Sequence, residues 1–288
     1  MRTEEAEPRE VGMEEFRHDQ LVFPVTDTGP ASGRVVVALH GFPEDRHCWA
    51  PLAASLATEG YRVVAFDQRG YAPGARPRPR LAYRMGALVG DVLALVDALG
   101  VERVDVLGHD WGAAVAWALA ALHPERVRSL QALSVPHPAA FAKALRAGRQ
   151  ALHSWYMGFF QLPWLPETVL GVAGGAGFAA FLRRSVLDEP TARRYAARAA
   201  DKRAIAGGLA WYRAAPTALR RPLPPVERPT CFVWGDRDWF VTAEAAERCA
   251  AHVRGPYRFH RLAGASHWLP TTAADQVAPL LLEHLAAT

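Results

Sequence analysis

A chain of 288 residues, 50% hydrophobic and 22% charged, has the size and balance of a soluble α/β domain with a large core and an insertion. Its net charge of +4 is carried almost wholly by arginine; the densest runs, Arg76 to Arg84 and Arg193 to Arg203, lack any nucleic-acid module and read as solvated faces. Cys48, Cys231 and Cys249 lie far apart with no CxxC spacing, which excludes a disulfide framework and a zinc site and points to a reducing, cytoplasmic setting.

Residues 1–15 are acidic and polar and read as a flexible N-terminal tail without the apolar core of a secretory signal. No apolar run looks long enough to span a membrane, so neither membrane nor nucleic acid is an expected partner. Strand and helix signals then alternate. "RVVVALHG" (34–41) and "YRVVAFDQRG" (61–70) are β-branched runs ending in turn residues, with a helix over 49–58 between them. A helix over 85–100, a strand over 104–107, a helix over 111–123 and a strand over 127–134 follow. The pattern resumes at 229–238, with a helix over 243–252, a strand over 256–262 and a final helix from about 272. Such alternation predicts a mostly parallel sheet with helices on both faces, its core formed by 16–135 and 226–288. Between them, 136–225 is rich in aromatics, has helical periodicity and no strand signal, and is bounded by "SVPHP" and "RRPLPPVERP". It reads as an inserted helical cap. The run "GVAGGAG" (171–177), with no strand before it, reads as a loop and not as a dinucleotide fingerprint.

In open parallel sheets reactive groups gather beyond the carboxyl ends of the strands. Those ends hold His40-Gly41-Phe42-Pro43, Asp67-Gln68-Arg69-Gly70-Tyr71, Gly108-His109-Asp110-Trp111-Gly112, Gly235-Asp236-Arg237-Asp238 and Gly264-Ala265-Ser266-His267-Trp268. Taken alone, Asp110 is an ordinary helix N-cap. Between two glycines after a strand, it occupies the serine position of a nucleophile elbow, and an acid and a histidine follow in the chain order of a hydrolase triad. His40 reads as a loop-orienting residue, His109 as packing beneath the elbow, and Asp67 as organising its own turn. No HExxH or other metal-ligand spacing occurs, so no metal or cofactor is expected.

Together these motifs resemble the soluble epoxide hydrolase family of the α/β-hydrolase superfamily, from about residue 18 to the end. The resemblance implies an α/β-hydrolase fold with an eight-stranded sheet and makes Asp110 the nucleophile. It assigns His267 as the base and Asp238 as its acid partner, with Asp236 the alternative. Tyr156 in "SWYMGFFQLP" and Tyr212 in "GLAWYRA" match the family's cap tyrosines, which donate hydrogen bonds to the epoxide oxygen. Phe42 and Trp111 would supply the oxyanion-hole N–H groups, and Phe42-Pro43 is a candidate cis peptide. Trp155, Phe159, Trp211 and Trp268 are expected to contact an apolar epoxide substrate. Ser266, where the family often has Gly, is expected to alter local geometry more than mechanism.

The chemistry matches the residues. A carboxylate opens the strained ring from the back while phenols, protonated at neutral pH, donate to the departing alkoxide. Water then hydrolyses the ester on the protein and releases a vicinal diol. Two rivals remain at this point. A haloalkane or haloacid dehalogenase would use the same Asp with Trp111 and Trp155 or Trp211 as halide donors, and a catalytically silent binding protein would use none of it. Substrate identity and oligomeric state, a homodimer included, are left open.

Overall fold

The computed structural model describes residues 12–218 and 222–288. Eight strands form one sheet: β1 (Glu15–His18), β2 (Leu21–Thr28), β3 (Arg34–Leu39), β4 (Tyr61–Phe66), β5 (Val104–His109), β6 (Val127–Leu133), β7 (Thr230–Gly235) and β8 (Tyr257–Leu262). Their order is β1-β2-β4-β3-β5-β6-β7-β8. β1, β2 and β4 pair antiparallel in turn, and the strands from β4 to β8 pair parallel. Every residue of β5 and β7 is buried, as strands covered by helices on both faces must be.

The connections explain where a site forms. After β3 the chain steps outward to β4 through the helix Ala50–Thr58; after β4 it returns across β3 to β5 through the helix Met85–Ala98. Because such crossovers are right-handed, opposite directions put these two helices on opposite faces. Ala50–Thr58 packs with the C-terminal helix Ala274–Ala286, and Met85–Ala98 with the helix Trp111–Leu122. The chain therefore leaves the ends of β3 and β5 toward opposite faces, and a crevice opens between them.

Between β6 and β7 the described residues contain helices and no strand: Pro138–Ala147, Gln150–His153, Trp155–Phe159, Leu165–Gly171, Ala176–Arg184, Glu189–Ala197 and Lys202–Ala218, with short 3-10 turns. These helices lie within the span 136–225. They contribute aromatic side chains above the crevice.

Several expectations need correction. The tail expected over 1–15 ends earlier: the Met13 N–H donates to the Asp27 carboxylate at 2.9 Å, and Glu15 already belongs to β1. Its first eleven residues lie outside the described ones. The Gly-rich run 171–177 is not a loop. It closes one helix, kinks through Ala173, Gly174 and Gly175 at positive φ, and opens the next. That stretch, Leu165–Arg184, is long and apolar enough by composition to span a membrane, at 20 residues and hydropathy 1.4, contrary to expectation. The kink divides it into helices of 7 and 9 residues, each far short of a bilayer's thickness. The helix expected over 243–252 is α-helical only for Ala243–Glu247 and tightens to a 3-10 turn over Arg248–His252.

Candidate active site

Asp110 stands between β5 and the helix Trp111–Leu122 with φ 51° and ψ −120°. That is a strained conformation for a residue with a side chain, costing about 1–3 kcal/mol, and the neighbours permit nothing bulkier. A Cβ on Gly112 would meet the Leu39 carbonyl oxygen at 1.9 Å, and one on Gly41 would meet the Asp110 Cβ at 2.3 Å. Although Asp110 occupies the N-cap position, its side chain makes no capping hydrogen bond. Its Oδ1 instead accepts from the Phe42 N–H at 2.8 Å, and its Oδ2 lies 3.5 Å from His267 Nε2. The Phe42-Pro43 peptide is cis.

His267 Nδ1 bonds Asp238 Oδ2 at 2.7 Å. The other oxygen of the buried Asp238 carboxylate accepts from the N–H groups of Phe240 and Val241, at 2.7 and 2.9 Å, so both are fixed. Asp236 faces away, accepting from the Gly264 N–H at 2.7 Å. Of the two candidate carboxylates it is therefore Asp238 that reaches His267, and Asp236 holds the turn before His267. Burial opposes charge on His267, but the Asp238 and Asp110 carboxylates prevail and raise its pKa to about 10. Burial likewise opposes the Asp110 charge, yet hydrogen bonding and attraction from His267, with help from His109 and the Phe42 N–H, keep its carboxyl below the usual value. Both shifts favour the charged forms, an imidazolium between two carboxylates.

Tyr156 projects from Trp155–Phe159 and Tyr212 from Lys202–Ala218, with ring centroids 6.0 Å apart. Phe160 packs edge-on against both, and Trp111 and Phe42 against Tyr212. Burial first, and then the Asp110 charge, push both phenols above their usual pKa, so they stay protonated. Asp110, His267, Tyr156, Tyr212 and Phe240 wall two apolar cavities, of about 360 and 150 Å³.

Residues 34–274 match the model of the alpha/beta hydrolase fold family. The chain is 32% identical to human "Epoxide hydrolase 4" over 91% of its own length and 75% of that protein's. To "Epoxide hydrolase A" of Mycobacterium tuberculosis it is 31% identical, over 91% and 93% of the two chains. A product complex of a mutant epoxide hydrolase from Bacillus megaterium superposes with a TM-score of 0.84 at 25% identity, over 94% of this chain and 99% of that one. The chain belongs to the epoxide hydrolase family.

In this member of the family the structure brings the expected residues together. Trp155, Phe159 and Trp268 wall the larger cavity and Trp211 the smaller. Trp111 opens its helix, so its N–H is one of the first-turn donors that no helical carbonyl uses. The Trp211 indole N–H donates to the Arg69 carbonyl at 2.7 Å. His40 orients its loop as expected. Its Nδ1–H donates to the Gly41 carbonyl, its Nε2 accepts from the Gln68 N–H, and burial lowers its pKa. Asp67, expected to organise its own turn, instead ties that turn to the segment after β3 by accepting from the Arg46 N–H and guanidinium. Ser266 accepts from the Trp268 N–H, as befits a turn residue. Among the described residues no group of three or more His, Cys, Asp or Glu side chains is arranged to hold a metal ion.

Three contributors were not legible. His109 does more than pack. Its Nε2–H donates to the His267 carbonyl at 2.8 Å, and its Nδ1 pairs at 2.7 Å with Glu44, a fully buried carboxylate that also accepts from the Gly41 N–H. Ser134, at φ 66°, donates to the same His267 carbonyl at 2.6 Å. Phe240 stacks edge-on against the His267 ring. The one available signal was Glu44 itself, a charge placed directly after the apolar turn "HGFP".

Proposed function

We propose that the protein hydrolyses an apolar epoxide to a vicinal diol without a cofactor, by way of an ester on Asp110. The observation that carries this reading is the placement of Asp110. One oxygen is held by the Phe42 N–H and the other faces His267, at a boundary walled by two protonated phenols, the buried Tyr212 and the half-buried Tyr156.

Oδ2 is the oxygen free to attack. Backside attack on one ring carbon breaks its bond to oxygen, and Tyr156 and Tyr212 donate to the alkoxide that leaves. Oδ1 becomes the ester carbonyl, still facing the Phe42 N–H, with the Trp111 N–H as the second donor for the oxyanion formed when water attacks. The proton count closes. Ring opening consumes one proton and removes the Asp110 charge, and with that charge goes part of what held His267 protonated. His267 therefore yields a proton as the alkoxide gains one, and in the neutral form it takes a proton from the attacking water. Asp238 orients it throughout, while Glu44, His109 and Ser134 fix its backbone as positioning residues.

The dehalogenase reading needs a second indole N–H aimed at Asp110. Trp211 spends its own on Arg69, and Trp155 stands exposed at the cavity rim. The helical insertion acts here as a lid. Three buried, unpaired cysteines fit a reducing cytoplasm, with a small epoxide and water as the partners. The test is a panel of neutral epoxides and haloalkanes: diol from epoxides without halide release is expected, and halide release with no diol would overturn the reading.

A further inference from the structure

Ring packing fixes the Tyr156 and Tyr212 side chains against each other. Their helices are tied to the core by other means, and each to a different strand end.

The helix Lys202–Ala218, which carries Tyr212, holds two adjacent glycines, Gly207 and Gly208, although glycine is the poorest helix former after proline. Both lie against the core. A Cβ on Gly207 would meet the Gly70 carbonyl oxygen at 2.0 Å, and one on Gly208 would meet the Phe42 ring at 2.8 Å. Trp211 and Tyr212 stand four residues further on, and so on the same two stripes of the helix. The first stripe rests on the turn after β4. There the Trp211 indole donates to the Arg69 carbonyl at 2.7 Å, and the Arg69 guanidinium forks onto the buried Asp91 carboxylate at 2.7 and 2.5 Å. The second stripe faces the loop after β3, with Tyr212 edge-on against the Phe42 ring. The Phe42 N–H is also the donor that holds Asp110 Oδ1.

Tyr156 is tied instead to the loop after β7. The fully buried Gln150 donates to Ser154 Oγ and to the Phe240 carbonyl, at 2.9 and 2.7 Å. It accepts from the Thr242 N–H and hydroxyl, at 2.9 and 3.0 Å. Both donors and both acceptor positions of the amide are thus used. Ser154 directly precedes the helix Trp155–Phe159, and its carbonyl accepts from the Met157 N–H.

We infer that Gly207 is a positioning residue for Tyr212, and Gln150 for Tyr156, each setting where one phenol stands for ring opening. This rests on the epoxide-opening reading of the same site. An alanine at 207 must draw the helix back by about 1 Å before its Cβ clears the Gly70 oxygen, from 2.0 Å to the 3.0 Å that side chains require. A misplacement of that size costs about 100-fold at a reacting centre.

The test follows ester formation and ester hydrolysis separately, by rapid quench on the purified full chain, with the neutral epoxide that gives diol fastest. Gly207→Ala should slow ester formation by about 100-fold and leave ester hydrolysis within about twofold. Gln150→Met keeps the shape and drops all four hydrogen bonds. It should slow ester formation by about tenfold, and it keeps the test alive if the alanine variant fails to fold. Each variant is then combined with Tyr212→Phe and with Tyr156→Phe. Gly207→Ala should lose its effect beside Tyr212→Phe and keep it beside Tyr156→Phe, and Gln150→Met should do the reverse. Equal slowing of both steps by Gly207→Ala, or effects that add in full on both tyrosine backgrounds, would mean general loosening. Either result would overturn the inference and leave epoxide hydrolysis standing. A wild-type protein that forms no ester with any epoxide would overturn the functional reading itself.

Discussion

The site joins two regions that hold their side chains by different means. In the α/β core, Asp110, Asp238 and His267 are placed by the main chain: a strained elbow, a carboxylate fixed by two N–H groups, a histidine whose own carbonyl accepts from His109 and Ser134. In the helical insertion, Tyr156 and Tyr212 are placed by rings, with Phe160 edge-on against both. Hydrogen-bonded anchors set direction as well as distance, whereas ring packing sets mostly position and tolerates rearrangement. On the proposed mechanism, the core holds the nucleophile and base, and the insertion shapes what reaches them.

Substitutions can break this contrast. Asp110→Asn should lower kcat by about 10,000-fold or more with little change in Tm, because the amide still fits the elbow; steady-state rates and a thermal melt check both. Replacing Tyr156 and Tyr212 together with Phe should cost about 1,000-fold or more in ring opening, and each alone about 10- to 100-fold. Rapid-quench measurement of ester formation reads this directly, and near-wild-type bursts would remove the phenols from the mechanism. Phe160→Ala removes the ring shared by both tyrosines. It should destabilise the protein by about 3 kcal/mol and slow ring opening more than ester hydrolysis, whereas a core-only role predicts equal slowing.

A pH change sharpens the same division. Asp110 has a lowered pKa, so ring opening should be flat from about pH 5 to 8. His267, held up at about 10 in the resting enzyme, loses the Asp110 contribution once the ester forms, and must be neutral to activate water. Lower pH keeps it protonated, so ester hydrolysis should slow as pH falls and the ester should accumulate. Mass spectrometry of quenched enzyme would show the larger ester fraction at pH 5 than at pH 8; the reverse order would contradict the assignment.

The contrast also marks what the sequence made legible. Asp110, Asp238 and His267 were readable because each follows a short strand and a glycine, a local signal of strand-end geometry. Tyr156 and Tyr212 came only through the family resemblance, since aromatic side chains on amphipathic helices look alike whether they pack or react. Glu44 went unread and His109 was read as packing alone, because their contact spans 65 residues of sequence. The hairpin of β1 and β2 passed unread because four residues and a Pro24-interrupted strand carry little periodicity. The Gly-rich run misled in the other direction: glycine marks the positive-φ kink correctly, but packing keeps the flanks helical.

The central claim is that the diol's new oxygen comes first from Asp110. Its most direct test is a single turnover in heavy-oxygen water with enzyme in excess over epoxide. The account predicts an unlabelled first diol and label in the Asp110 carboxylate afterwards; label appearing in the first diol would contradict it.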